Sequence, residues 1–112
     1  MQVQDDPRLH DYNLDFWIDI LEGLAHWQAD HYRSDHILWA MGSDFNYENA
    51  DHWYKNLDKL IHHVNARGNI NLLYSTPTIY TEAKNQANLT WEARFDDVMP
   101  LADAPHHYWS GA

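Results

Sequence analysis

Two apolar rhythms alternate along this chain, and their alternation limits what it can become. Apolar residues recur at spacings of three and four through Leu14, Trp17, Ile18, Leu21, Leu24 and Ala25, with Asp15, Asp19, Glu22 and His26 on the opposite face. That is the helical period, and with Asn13 as a capping residue type it predicts a helix over about 14–32. The continuous run His36-Ile37-Leu38-Trp39-Ala40-Met41 then ends at Gly42, as a strand buried on both faces does. Trp53, Leu57, Leu60, Ile61 and Val64 restore the helical stripe over about 50–66, with Asp51 four residues before Lys55 and Gly68 as a stop. Ile70 to Tyr74 reads as a second strand. Thr76-Pro77 reads as a cap followed by proline at the first position of a helix running to about 87. Finally Leu89, Trp91, Ala93 and Phe95 alternate with Thr90, Glu92 and Arg94, the pattern of a half-buried strand.

Helix and strand thus take turns, which predicts an α/β fold with a mainly parallel sheet. Residues 1–12 read as an irregular lead-in and 96–112 as a loop-like tail. Three strands make a poor sheet, because its outer edges stay open. Trp17, Trp39, Trp53 and Trp91 fall on expected core faces, and six Trp and seven Tyr are many for 112 residues. A chain of this length holds at most one small core. Residues 1–112 are therefore expected to be a slice of a larger domain. Their surplus aromatics are then packing surface for the remainder, or stacking faces for sugar rings.

Charge narrows the partners. Seventeen Asp and Glu against seven Lys and Arg give −10 at neutral pH, which argues against nucleic acid and anionic membranes as ligands. Protonating the nine histidines would lift that charge to −1, so a compartment near pH ~5 would largely discharge the chain. Without cysteine there is no disulfide, no thiolate metal site and no thiol nucleophile. No apolar run reaches the ~18 residues of a membrane span. The polar, acidic stretch Met1 to Pro7 does not read as a secretory leader.

In α/β folds ligands gather beyond the carboxyl ends of strands, which draws attention to Asp44, to Ser75 and Thr76, and to Asp96 and Asp97. Asp44 sits in Gly42-Ser43-Asp44-Phe45-Asn46, and two readings stand. Ser, Asp and Asn favour turns by bonding nearby backbone, or Asp44 is a catalytic acid. Ser75 and Thr76 are best explained by the helix cap, Asp96 and Asp97 as solvated loop acids or an acid–base pair. His62 and His63 are adjacent on a helix, about 100° apart, the wrong spacing for joint chelation. His106-His107 has no acid at a zinc spacing, so no metal site is expected within this chain. Asn88-Leu89-Thr90 is an N-glycosylation acceptor if the chain is secretory.

The blocks Met41-Gly42-Ser43-Asp44-Phe45 with Tyr47-Glu48-Asn49, Leu73-Tyr74-Ser75-Thr76-Pro77, Ala87-Asn88-Leu89-Thr90-Trp91 and Tyr108-Trp109-Ser110-Gly111 closely resemble the α-mannosidases of glycoside hydrolase family 38, especially the lysosomal and vacuolar type. The resemblance runs from about Asp6 to Gly111. It implies a large enzyme whose catalytic domain surrounds a seven-stranded parallel sheet. It also implies retaining hydrolysis of terminal α-mannosyl bonds through a glycosyl–aspartate intermediate, with one zinc ion. By the same resemblance Asp44 is the acid/base, Trp109 lines the sugar cleft and Asn88 carries a glycan. A general acid needs a raised pKa, and Phe45 and Tyr47 are expected to supply it by desolvating Asp44.

The resemblance also says what is missing. The family's zinc ligands, two His and two Asp with the nucleophile among them, belong to motifs before and after this stretch. Zinc is accordingly expected in the intact enzyme, with ligands outside this chain. The implied setting is a lysosome, a vacuole or the secreted space, with a mannose-containing oligosaccharide as substrate and the remainder of the parent enzyme as partner. The contrasting expectation is a non-catalytic carbohydrate-binding or interaction module built on the same segment. A longer reading frame with a His-Pro-His-type motif upstream would separate the two.

Overall fold

A computed structural model describes residues 2–97 and 101–109. Three helices carry the architecture: α1 (Leu14–Ala29), α2 (Ala50–Arg67) and α3 (Pro77–Gln86). Near the carboxyl terminus β1 (Ala102–Ala104) and β2 (His107–Tyr108) form a short antiparallel ribbon. Helices α1 and α2 lie where the apolar period placed them, and α3 where the Thr76-Pro77 cap did. Gly68 adopts φ +84° and returns its N–H to the Val64 carbonyl at 3.3 Å, the left-handed stop expected of it. At the start of α3, Thr76 accepts the Ile79 N–H at 3.3 Å, and Pro77 takes the first helical position. Helix α1 ends at Ala29 rather than near 32, because the last turn tightens. His31 and Tyr32 bond three residues back, to Gln28 and Ala29.

Helices α1 and α2 pack through Leu14, Ile18, Leu60 and Val64, and Val3 from the lead-in completes the buried cluster. Each such side chain contributes ~1.5–3 kcal/mol when fully withdrawn from water. Val3 is 1% exposed, and its backbone must be satisfied without a strand partner. Asn56 of α2 does this: its Oδ1 accepts the Val3 N–H at 2.7 Å, while Lys59 Nζ donates to the Val3 carbonyl at 3.1 Å. Asn13 works the same way rather than as a helix cap. Its side chain accepts from Gln4 N at 2.9 Å and donates to the Gln2 carbonyl at 3.1 Å, with no capping bond to α1. Outside the core, Arg67 reaches Asp19 at 2.5 Å, Glu22 at 3.4 Å and Asp15 at 3.6 Å. These bonds tie the carboxyl end of α2 to the acidic face of α1.

The expected α/β fold is overturned. The structure is mainly helical, and no parallel sheet forms among the described residues, whose only sheet is the β1–β2 ribbon. Segments 36–41, 70–74 and 89–94, read as strands, contain no ladder, nor any slice of the seven-stranded sheet that the resemblance implied. The physical reason is visible in their hydrogen bonds. Asn65 of α2 accepts the Leu72 N–H at 2.7 Å and donates to the Leu72 carbonyl at 2.8 Å, so one side-chain amide stands in for a neighbouring strand. Arg33 donates to the Thr90 carbonyl, and the Trp39 indole donates to Gln28 of α1. An apolar run or an alternation reports which side chains avoid water; it does not specify what the backbone pairs with. Even the burial is incomplete: Trp17, Trp39 and Trp53 are half-buried, and Trp91 is exposed.

Candidate active site

Asp44 opens a run of turns covering residues 44–49, immediately before α2. Local bonds set its shape. Ser43 donates to Asn46 Oδ1 twice, from N at 2.8 Å and from Oγ at 3.0 Å, and Asn46 N returns to the Ser43 carbonyl at 3.2 Å. Gly42 lies at φ +119° and Phe45 at φ +64°. The first is a region that only glycine enters freely.

Tyr47 joins this turn to the helix. Its hydroxyl donates to the Met41 carbonyl at 2.8 Å, and its ring fills the space beside Gly42, where an added Cβ would stand 2.6 Å from Tyr47 Cε2. The ring stacks on Trp53 of α2 with centroids 5.3 Å apart and planes at 27°. It also meets Tyr54 at 5.6 Å, and Tyr54 meets Tyr74 at 6.0 Å. At the end of this row the Tyr74 hydroxyl donates to Asp58 at 2.7 Å. Half of Tyr74 stays exposed, yet loss of water around the phenol, with the Asp58 carboxylate beside it, pushes its pKa up to about 12. A row of rings therefore links the turn at Asp44 to the segment that leads into α3.

The shielding expected from the flanking aromatics is absent. Asp44 is exposed, Phe45 is 81% exposed, and Tyr47 spends its ring on Gly42 and Trp53. The turn supplies position and leaves the carboxylate open to solvent. Trp109 is 73% exposed, and its N–H closes the ribbon on the Leu101 carbonyl at 2.9 Å. Among the described residues no hydrogen bond, ion pair or ring contact joins Trp109 to Asp44. Ser110 and Gly111 of the same block lie outside the described residues.

Asn88 follows α3 with φ +51° and is exposed. Thr76 is engaged in its cap, and Ser75 Oγ contacts the Thr76 carbonyl at 3.3 Å. Asp96 is held by Arg94 at 2.6 and 2.7 Å, and that bond lowers its pKa; Asp97 is exposed. His62 and His63 touch edge to face at 4.9 Å, and His63 Nε2 lies 3.2 Å from Asp5. His106 sits in the ribbon turn at φ +64°, and His107 lies 3.5 Å from Asp103. Among the described residues no three His, Asp or Glu side chains gather in a way that could hold a metal ion. These residues therefore do not fit a zinc centre. No helix among them is long and apolar enough to cross a membrane. An open cleft of about 380 Å³ lies elsewhere, against α3, lined by Tyr32, Arg33, Tyr80, Lys84 and Trp91 but not by Asp44.

Sequence reasoning placed the turn and missed its support. Trp53 is legible in the sequence only as part of an apolar stripe and Tyr74 only as the end of an expected strand within one of the resemblance blocks, while Tyr54 and Asp58 carry no reading there. The available signal was the spacing of Tyr54 and Asp58, four apart on one face of α2.

Residues 2–110 match the glycosyl hydrolases family 38 N-terminal domain. The chain belongs to this family. An alpha-mannosidase of Canavalia ensiformis is 50% identical to it over 109 residues, which are 97% of this chain and 11% of the relative's length. The lysosomal alpha-mannosidases of Homo sapiens and Dictyostelium discoideum are each 47% identical, over 111 and 112 residues, covering 96% and 97% of this chain and 11% of their own. The resemblance read from the sequence blocks is thus correct, and the chain spans about a tenth of the length of these relatives. In this family-38 chain two of the blocks, Met41–Phe45 with Tyr47 and Leu73–Pro77, are the two that the row of rings connects.

Proposed function

We propose that residues 1–112 are part of a retaining α-mannosidase that hydrolyses terminal α-mannosyl residues of glycoproteins and oligosaccharides, with Asp44 as its general acid and base. The observation that carries this reading is the family-38 match over residues 2–110, supported by relatives that are themselves alpha-mannosidases. In a retaining glycosidase two carboxyl groups stand ~5 Å apart. One attacks the anomeric carbon, while the other donates its proton to the departing oxygen and later takes a proton from the incoming water. Asp44 has the second task, displayed exposed on a braced turn. The nucleophile lies outside this chain, and the groups that shield Asp44 from water are the substrate and parts of the enzyme beyond these residues. Zinc, held by ligands also outside the chain, would bind and polarise the sugar; metal analysis of the full-length enzyme against residues 1–112 alone checks where it resides.

Trp109 offers an exposed indole to the mannosyl ring. Asn88, exposed just after α3, carries a glycan. The setting is a lysosome or vacuole, or the secreted space, in line with the names of the human and Dictyostelium relatives.

The test is Asp44→Asn in the full-length enzyme. Hydrolysis of natural mannosides should slow by about 10²–10⁴-fold, the usual worth of a positioned proton donor. A dinitrophenyl mannoside departs as a stable anion, so its first step should be largely spared and its second, which needs the base, should stay slow. A burst of phenol followed by slow turnover is expected, and added azide should speed the slow phase. Equal, modest losses on every substrate, following a lowered melting temperature and without burst or azide rescue, would return Asp44 to ordinary turn chemistry.

A further inference from the structure

We infer that Tyr47 is a positioning residue for Asp44, fixing the carboxylate by clamping the loop 41–47 onto α2. The inference rests on the reading of Asp44 as general acid and adds the part that holds it in place. Three contacts carry it. The Tyr47 hydroxyl closes the loop on the Met41 carbonyl at 2.8 Å, so Asp44 lies between two tied ends. The ring occupies the only space into which Gly42 could bear a side chain, with a prospective Cβ 2.6 Å from Cε2. The opposite anchor is Trp53, stacked 5.3 Å away on a helix, with Tyr54 at 5.6 Å.

Each contact does something the others do not. An exposed turn with only its own bonds opens readily, whereas a turn fastened to a helix moves only with that helix. The stack on Trp53 fixes the rotamer of Tyr47, and the hydroxyl converts that fixed ring into a fixed backbone at Met41. Phenylalanine would keep the stack and lose the closure. The Tyr47 hydroxyl is spent on the Met41 carbonyl rather than on the Asp44 carboxylate, so its effect passes through the loop. A misplacement of ~1 Å in a reacting group is enough to cost on the order of 10²-fold in rate, which makes rigidity here a catalytic matter.

The experiment compares Tyr47→Phe, Trp53→Leu and Asp44→Asn in the full-length enzyme on two substrates, a mannobiose and a dinitrophenyl mannoside. Tyr47→Phe should lower kcat on the mannobiose by about 5- to 10-fold, the size of one lost net hydrogen bond. KM should stay unchanged, and the first step on the dinitrophenyl substrate should keep its wild-type rate. Trp53→Leu should show the same dependence on leaving group, since it frees the ring that the hydroxyl relies on. A merely structural Tyr47 predicts losses equal on both substrates and following thermal stability, and that result overturns the inference. If Asp44→Asn depends on the leaving group while Tyr47→Phe and Trp53→Leu do not, the positioning role alone fails. If Asp44→Asn itself slows the first step of both substrates equally, with no burst on the dinitrophenyl mannoside, the reading of Asp44 fails, and the role of Tyr47 falls with it.

Discussion

Replacing Gly42 by alanine should open the turn that presents Asp44, and the structure sets how strongly. At φ +119° a residue with a Cβ is strained by ~1–3 kcal/mol. The new methyl would also stand 2.6 Å from Tyr47 Cε2 and 3.3 Å from Cδ2, so the ring must leave. Its departure forfeits the hydroxyl bond to Met41, ~0.5–1.5 kcal/mol, and the stack on Trp53, ~0.5–1.5 kcal/mol. The combined penalty of about 2–6 kcal/mol exceeds what a surface turn holds against local opening. Hydrogen exchange over residues 41–49 of the full-length enzyme reads this directly. The amides of Asn46 and Glu48, bonded to Ser43 and Phe45 at 3.2 Å each, should exchange at nearly the rate of an unstructured peptide. Gly68→Ala is the control. Gly68 also has positive φ, +84°, but nothing lies within 4 Å of its prospective Cβ, so it carries backbone strain alone, ~1–2 kcal/mol. Wild-type exchange at Asn46 and Glu48 in Gly42→Ala would refute the reasoning. So would a disturbance no larger than that of Gly68→Ala at its own bond to Val64.

Two further outcomes are expected. Asp5 is bonded to Lys59 at 2.7 Å and to His63 at 3.2 Å, and these bonds hold its pKa below the ordinary 3.8. The folded state therefore binds that proton less readily than the unfolded one, so the stabilisation is complete above pH ~3.8 and disappears as pH falls through the lowered folded value. Thermal unfolding between pH 5 and 2.5 should show an acid limb below pH ~4 that Asp5→Asn reduces; superimposable limbs would refute it. In the full-length enzyme expressed through a secretory pathway Asn88→Gln should remove one glycan's mass, and an unshifted mass would exclude the site.

The helices were legible because helical packing writes itself into sequence at a fixed period, and their ends were legible where chemistry forces a residue type. Gly68 supplies a left-handed stop, and Thr76-Pro77 supplies an acceptor and a locked φ. The sheet was misread because a strand pattern encodes the environment of side chains and not the partner of the backbone. At Leu72 that partner is Asn65, at Val3 it is Asn56, and at Gln4 it is Asn13. Asparagine has no periodic signature. On a polar helix face it looks like surface, and ahead of a helix it looks like a cap. The same blindness hid Val3, a single buried residue within a polar lead-in, where no alternation marks it as core.

The candidate site shows how a local motif and a distant support divide its construction. Within Met41–Tyr47 the roles follow from residue chemistry. Gly42 permits the backbone reversal and leaves room for a ring, Asn46 accepts from Ser43 twice, and Tyr47 ties the far end back to Met41. Removing any one of these leaves the others without their geometry, so the block acts as a single device that displays one carboxylate. What holds that device is not in the block. Trp53 and Tyr54 reach it from the first two turns of α2, and Tyr54 passes the contact to Tyr74, whose hydroxyl is fixed by Asp58 one turn further along the helix. On the proposed reading of Asp44 as the general acid, a carboxylate this exposed gains nothing from burial, and its usefulness rests on being held still. The rings do the holding: Tyr47, Trp53, Tyr54 and Tyr74 lie outside the buried cluster and pack on one another instead.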